Sequence, residues 1–154
     1  MTTLQENLLI LGCSATKRAD AGMLPAIDRY DGPMYRVLRK ALRERDGLTE
    51  RLKICVISAN YGLVAADTPI PAYDWQMSWA QALVIRPKVK AQAMAMLNGQ
   101  RMPGLVMCGD RYHAALPTEI WHAGLNRTFG AIGCQLAQLK AWLWGLTLEE
   151  TRGE

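Results

Sequence analysis

The chain has 154 residues, half of them hydrophobic and 21% charged, with 18 Lys+Arg against 14 Asp+Glu for a net charge of +4. That length suits one domain with a core large enough to need no staples. The composition excludes an acidic disordered chain, and no apolar run approaches the ~20 residues of a membrane helix.

Met1 to Asn7 carries no basic region and Leu8 to Leu11 is too short for a secretory leader, so a cytoplasmic protein with no membrane partner is expected. Cys13, Cys55, Cys108 and Cys134 are widely spaced without C-x-x-C. They read as free thiols in or near a core, and no metal or other cofactor is expected.

Asn7 to Cys13 is a short apolar run, predicting a buried parallel strand. Ser14 to Asp28 is polar and punctuated by Gly and Pro, predicting a long loop. Asp31-Gly32-Pro33 has the form of a helix start. Met34, Val37, Leu38, Ala41 and Leu42 then recur at helical spacing, so an amphipathic helix is predicted to about Asp46-Gly47. Lys53 to Ser58 predicts a second buried strand, running into a turn at Ala59 to Leu63. Thr68 to Asp74 is extended, because Pro biases the preceding residue away from helix. Ser78 to Leu97 is helical with a break or kink at Pro87, ended by Asn98-Gly99. Gly104 to Cys108 predicts a third strand, followed by a short helix from Asp110 to Leu116. Gly133 to Trp144 predicts a last helix, with Leu136, Leu139, Leu143 and Trp142 inward.

Alternating strands and helices predict a single α/β domain over 1–154, three-layered and Rossmann-like with a mainly parallel sheet. Ligands of such sheets bind beyond the carboxyl ends of the strands. Those ends are predicted to deliver Cys13-Ser14, Ser58-Ala59-Asn60 and Cys108-Gly109-Asp110 to one edge.

Four segments there carry candidate chemistry. Cys13-Ser14-Ala15-Thr16-Lys17 can offer backbone amides and a cation to an anion, although neither a P-loop nor G-x-G-x-x-G is present. The plainer reading is a strand-to-loop turn with an exposed lysine. In Ser58-Ala59-Asn60-Tyr61-Gly62-Leu63, Gly62 permits a sharp reversal that exposes Tyr61. With Tyr73 downstream, it offers two rings for stacking and two hydroxyls. Asp74 is either a general base or the cap of the next helix. Gly109-Asp110-Arg111-Tyr112-His113 places Gly109 for close approach and Asp110 as a helix cap or acid/base group. His113 and His122, the only histidines, read as surface or core residues. The fourth segment is the basic helix face of Arg36, Arg39, Lys40 and Arg43, either a nucleic-acid surface or a solvated face. From Arg36 to Lys53 there are seven basic and three acidic residues, so the whole charge excess falls on this stretch. Trp75 and Trp79 can wall a pocket or fill a core, and Trp142 and Trp144 read as core or interface.

Together, Gly12-Cys13-Ser14-Ala15-Thr16-Lys17, Tyr30-Asp31-Gly32-Pro33-Met34-Tyr35, Ile57 to Leu63 and Ile70-Pro71-Ala72-Tyr73-Asp74 are similar to a group of bacterial and phage domains. That group's pattern is Cys-Ser-x-x-Lys, a Tyr-x-Gly helix start, Ser-Ala-x-Tyr-Gly-Leu and Pro-Tyr-Asp. It resembles the peroxide-stress YaaA-like family and implies a nucleobase- or nucleic-acid-modification context. Gly109 to Tyr112 and Gly130 to Gly133 also fit. Two positions depart from the pattern: Ala72 separates Pro71 from Tyr73, and Asn60 stands in place of Lys.

The resulting expectation is an enzyme acting on a nucleobase, nucleoside or nucleotide at its N-glycosidic bond. Asp74, Asp110 and Tyr61 are its candidate catalytic groups. Cys13, Ser14, Lys17, Ser58, Asn60, Gly62, Tyr73, Gly109 and Tyr112 are candidates for binding the substrate. The alternatives are a nucleic-acid-binding module using the basic helix, or a small-ligand or redox sensor acting through Cys13 or Cys108.

Overall fold

The computed structural model describes residues 2–3, 6–13, 17–72, 75–148 and 151–152. Ser14, Tyr73 and Asp74, expected at the site, lie outside the described residues.

A five-stranded sheet organises the chain. Its strands are β1 (Asn7–Gly12), β2 (Leu52–Ser58), β3 (Gly62–Ala65), β4 (Gly104–Met107) and β5 (Leu125–Arg127), in the order β3-β2-β1-β4-β5. All neighbours are parallel except β2 and β3, which form an antiparallel pair. The expected α/β class with a mainly parallel sheet is therefore what the chain adopts. The edge strands β3 and β5 are additions to the predicted elements.

The apolar runs are strands because both faces are covered. Leu9, Leu11, Val56, Leu105 and Met107 pack on one side with Leu38, Ala41, Leu139 and Leu143, from helices α1 (Pro33–Glu44) and α5 (Ile132–Gly145). Leu8, Ile10, Cys55, Ile57 and Val106 pack on the other with Ala82, Ile85, Val89 and Ala93 of α2 (Trp79–Leu97). Short helices α3 (Asp110–His113) and α4 (Glu119–Ala123) follow β4, and Ile120 of α4 joins the α2-side core.

Several details differ from the sequence expectations. The long loop after β1 contains a short strand, Leu24–Pro25, paired with Pro69–Ile70, and a helical turn at Ala26–Arg29. α1 starts at Pro33 as expected and buries Tyr35 as well as Leu38 and Ala41. α2 is not broken at Pro87. Pro87 is exposed, so water can reach the carbonyl its missing N–H leaves unpaired. α3 is a single turn capped by Gly109, and Asp110 is its first residue rather than its cap. Among the described residues, no helix is long and apolar enough to cross a membrane.

Candidate functional site

The four parallel strands run β2-β1-β4-β5, so the chain reverses its direction of winding between β1 and β4. In open α/β sheets this reversal opens a crevice at the carboxyl edge. Here the edge is closely drawn together. The Cys13 amide donates to the Ile57 carbonyl at 3.1 Å. A Cβ on Gly12 would lie 2.8 Å from the Cys108 Cβ, so only glycine allows this approach of β1 to β4.

Across the crevice, the Cys13 thiol donates to the Tyr112 hydroxyl at 2.6 Å, and the Met77 amide donates to the same oxygen at 3.2 Å. Tyr112 thus ties together the end of β1, the segment before α2 and the turn after β4. Beside it opens a pocket of about 360 Å³ lined by Gln76, Met77, Trp79, Gly109, Asp110, Arg111 and Tyr112. Asp110 stands at its lip, its side chain 77% exposed, in an ion pair with Arg127 from β5. A smaller hollow of about 150 Å³ lies between Met34, Met107, Cys108, Gly109, Ile132 and Gln135. Gly109 borders both spaces.

The turn from β2 to β3 is built by its own side chains and by α2. The buried Ser58 Oγ accepts from the amides of Asn60 and Tyr61 at 3.2 and 3.3 Å. Gln81 donates to the Ala59 carbonyl at 2.7 Å. Gln92 accepts from the Leu63 amide at 2.7 Å and donates to the Tyr61 carbonyl at 3.2 Å. Between those two bonds Gly62 sits at φ +75°, and a Cβ there would lie 2.4 Å from the Gln92 Oε1. The Ser-Ala-Asn-Tyr-Gly-Leu motif is thus a fastened turn, with Tyr61 half-buried against the α1-side core.

The predicted site residues consequently separate into groups. Gly109, Asp110 and Tyr112 meet at the larger pocket, and Cys13 joins them through Tyr112. Ser58, Asn60, Tyr61 and Gly62 form the β2–β3 turn and are not among that pocket's described lining. Lys17 is bridged to Tyr30, its ammonium 5.9 Å from that ring's centroid. The Tyr35 hydroxyl donates to the Gly12 carbonyl at 2.7 Å and supports the end of β1 from below. Trp79 walls the pocket, as one of its two sequence readings proposed.

The basic helix face is only partly engaged within the fold. Arg39 donates to the carbonyls of Ile27 and Tyr30 at 2.9 and 3.0 Å and pairs with Asp31, which Arg36 also contacts. The Arg36 hydrogen bond, with Arg39 second, holds the Asp31 carboxyl below its ordinary range. Arg45 donates to the carbonyls of Leu143 and Leu146, and buried Arg51 to that of Leu148. Lys40 and Arg43 are exposed.

Sequence reasoning gave no role to Arg111, Arg127, Gln81, Gln92 or Arg29. Arg29 is fully buried and donates to the carbonyls of Arg18, Asp20, Gly22 and Ile70, so it gathers the long loop after β1. No periodicity marks such residues, because their acceptors are backbone carbonyls elsewhere in the chain.

Cys13 packs with the α1-side core and Cys108 with the α2-side core. Burial pushes the Cys108 thiol up to about 12 and the Cys55 thiol to about 11, far from a reactive thiolate. Among the described residues no group of three His, Cys, Asp or Glu converges as a metal site would require. Comparison with protein-family models and with curated proteins finds no match to this chain.

Proposed function

We propose that the protein is an enzyme acting on a nucleobase, nucleoside or nucleotide, with its reaction at the N-glycosidic bond. One observation carries this reading: the pocket of about 360 Å³ beside the β1–β4 crossover, where an indole, a guanidinium and a carboxylate converge. Its size lies at the small end of ligand clefts, suited to a base and its sugar. The Trp79 ring supplies a stacking face, and Arg111 a partner for a phosphate or a base edge. Asp110 is the acid/base candidate. Its carboxylate accepts a proton from water as the water oxygen bonds to C1′, while the C1′–N bond breaks and its electrons leave with the base. Arg127 orients that carboxylate. The motif resemblance points to the same substrate class. The reading through the basic helix has less support, because Arg36 and Arg39 are engaged with Asp31.

The test is incubation with a panel of nucleosides and nucleotides, following released base by chromatography and binding by ligand-observed NMR. Binding of at least one class, and base release that Asp110→Asn lowers by roughly 10²-fold or more, is the expected result. No binding to any member, or full turnover by Asp110→Asn, overturns it.

A further inference from the structure

Three large aromatic side chains are held out of the core on segments that flank the pocket: Trp79 lines it, Trp75 directly precedes Gln76 of its lining, and Phe129 follows the carboxyl end of β5. Trp79 is 56% exposed, Trp75 45%, and Phe129, the only phenylalanine in the chain, 74%. Buried aromatics stabilise a core, so leaving these rings in water forgoes that stabilisation. Phe129 and Trp79 sit on fastened segments. The Phe129 amide donates to the Gln138 Oε1 at 3.0 Å, and Gln138 returns a bond to the Phe129 carbonyl at 2.8 Å. Gln135 binds both the Thr128 hydroxyl and the Gly130 carbonyl at 2.8 Å. The backbone on either side of the exposed ring is thus pinned to α5. Trp79 opens α2 directly after Ser78, whose hydroxyl caps the helix by accepting from Gln81 at 3.0 Å.

Two guanidinium groups stand at this edge, Arg111 in the pocket lining and Arg127 at the end of β5, where it pairs with Asp110. Taken by segment, the groups at the carboxyl edge are Trp75 before α2 and Trp79 at its start, Arg111 after β4, and Arg127 and Phe129 at the end of β5. Rigid exposed rings alternating with guanidinium groups match a chain whose stackable faces alternate with phosphates.

We infer that the substrate is a single-stranded nucleic acid laid along this edge, with flanking bases stacked on Trp75 and Phe129 and one base delivered to the pocket. This rests on the nucleobase reading of the pocket and names its physiological context. An unpaired base enters such a pocket without the cost of breaking a duplex. A second copy of the chain is the competing occupant of these rings, and the test separates the two.

The full chain is titrated into a fluorescein-labelled single-stranded oligonucleotide of about 12 nucleotides, and anisotropy is followed from low to moderate salt. Two arginine–phosphate contacts give a log–log salt slope of roughly −1.4, which Arg127→Gln reduces by about 0.7. Trp75→Ala and Phe129→Ala, both outside the pocket lining, each weaken the oligonucleotide by about 5- to 140-fold. Both leave free-nucleoside binding unchanged and the circular dichroism spectrum native. A duplex of the same sequence binds more weakly. Oligonucleotide affinity unaffected by both aromatic variants, or absent altogether, overturns the inference. So does sedimentation showing a dimer that Phe129→Ala dissociates with no change in oligonucleotide affinity. Failure of free nucleosides to bind, with the aromatic effects on the oligonucleotide intact, counts against the glycosidic pocket alone.

Discussion

Substituting Gly62 with Ala tests the most tightly specified part of the edge. Two costs follow from the structure. Ala must adopt φ near +75°, which costs roughly 1–2 kcal/mol for a residue with a Cβ. The new methyl would also sit 2.4 Å from the Gln92 Oε1, so the amide must withdraw from the Leu63 N–H and the Tyr61 carbonyl. Two lost hydrogen bonds at about 0.5–1.5 kcal/mol each bring the total to roughly 2–5 kcal/mol. For a domain of this length that lowers Tm by about 4–20 °C. The informative assay is a double-mutant cycle, with Gly62→Ala, Gln92→Ala and the double variant unfolded in urea. Once Gln92 is Ala the clash is gone, so Gly62→Ala should then cost only the conformational strain. A coupling of about 1–3 kcal/mol is expected. Equal costs of Gly62→Ala in the two backgrounds would refute the claim that the Gln92 amide fills the space above the turn.

Further outcomes follow from titratable groups. Burial, reinforced by the Arg127 charge, holds the His113 pKa below its ordinary 6.5, and the Nε2 atom is buried with no hydrogen-bond partner among the described residues. The unfolded chain therefore takes up this proton at higher pH than the folded one, and stability falls as pH drops below about 6.5. Thermal melts between about pH 7 and pH 5 should show that decline, and His113→Gln should flatten it. An unchanged slope would remove His113 as its source. In thiol titration of the native protein, exposed Cys134 should react first. Cys108, buried and with its thiol pushed up to about 12, should react far more slowly at pH 8, and freely only in denaturant. A fast native reaction at Cys108 would contradict its burial.

Much of the fold was legible because its strongest signals are local. β1, β2 and β4 are continuous apolar runs, as strands covered on both faces must be, and all three were predicted within a residue or two. The start of α1 followed from Gly32-Pro33. β3 and β5 were missed because four and three residues at a sheet edge carry too little pattern. Pro87 does not break α2, because its cost depends on whether water reaches the helix there, which exposure decides and spacing does not. At the site, Gly109, Asp110 and Tyr112 were legible as the residues following a buried strand. Tyr61 was legible as part of a motif, but its placement against the α1-side core was not.

By itself, the sequence determined the three central strands and which residues sit at their carboxyl ends, since burial on two faces writes itself into consecutive residues. Strand order was a matter for tertiary structure. β4 lies beside β1 rather than β2, and this brings Tyr112 over Cys13 although 99 positions separate them. The charge excess was similarly transformed. Counted along the chain, Arg36 to Lys53 was a basic surface; in the fold, Arg39, Arg45 and Arg51 turn to backbone carbonyls of other elements. The reason is that a guanidinium is satisfied by whichever acceptors packing brings within reach. Composition counts the charge, and only three-dimensional neighbours decide whether it faces a ligand or closes a helix end.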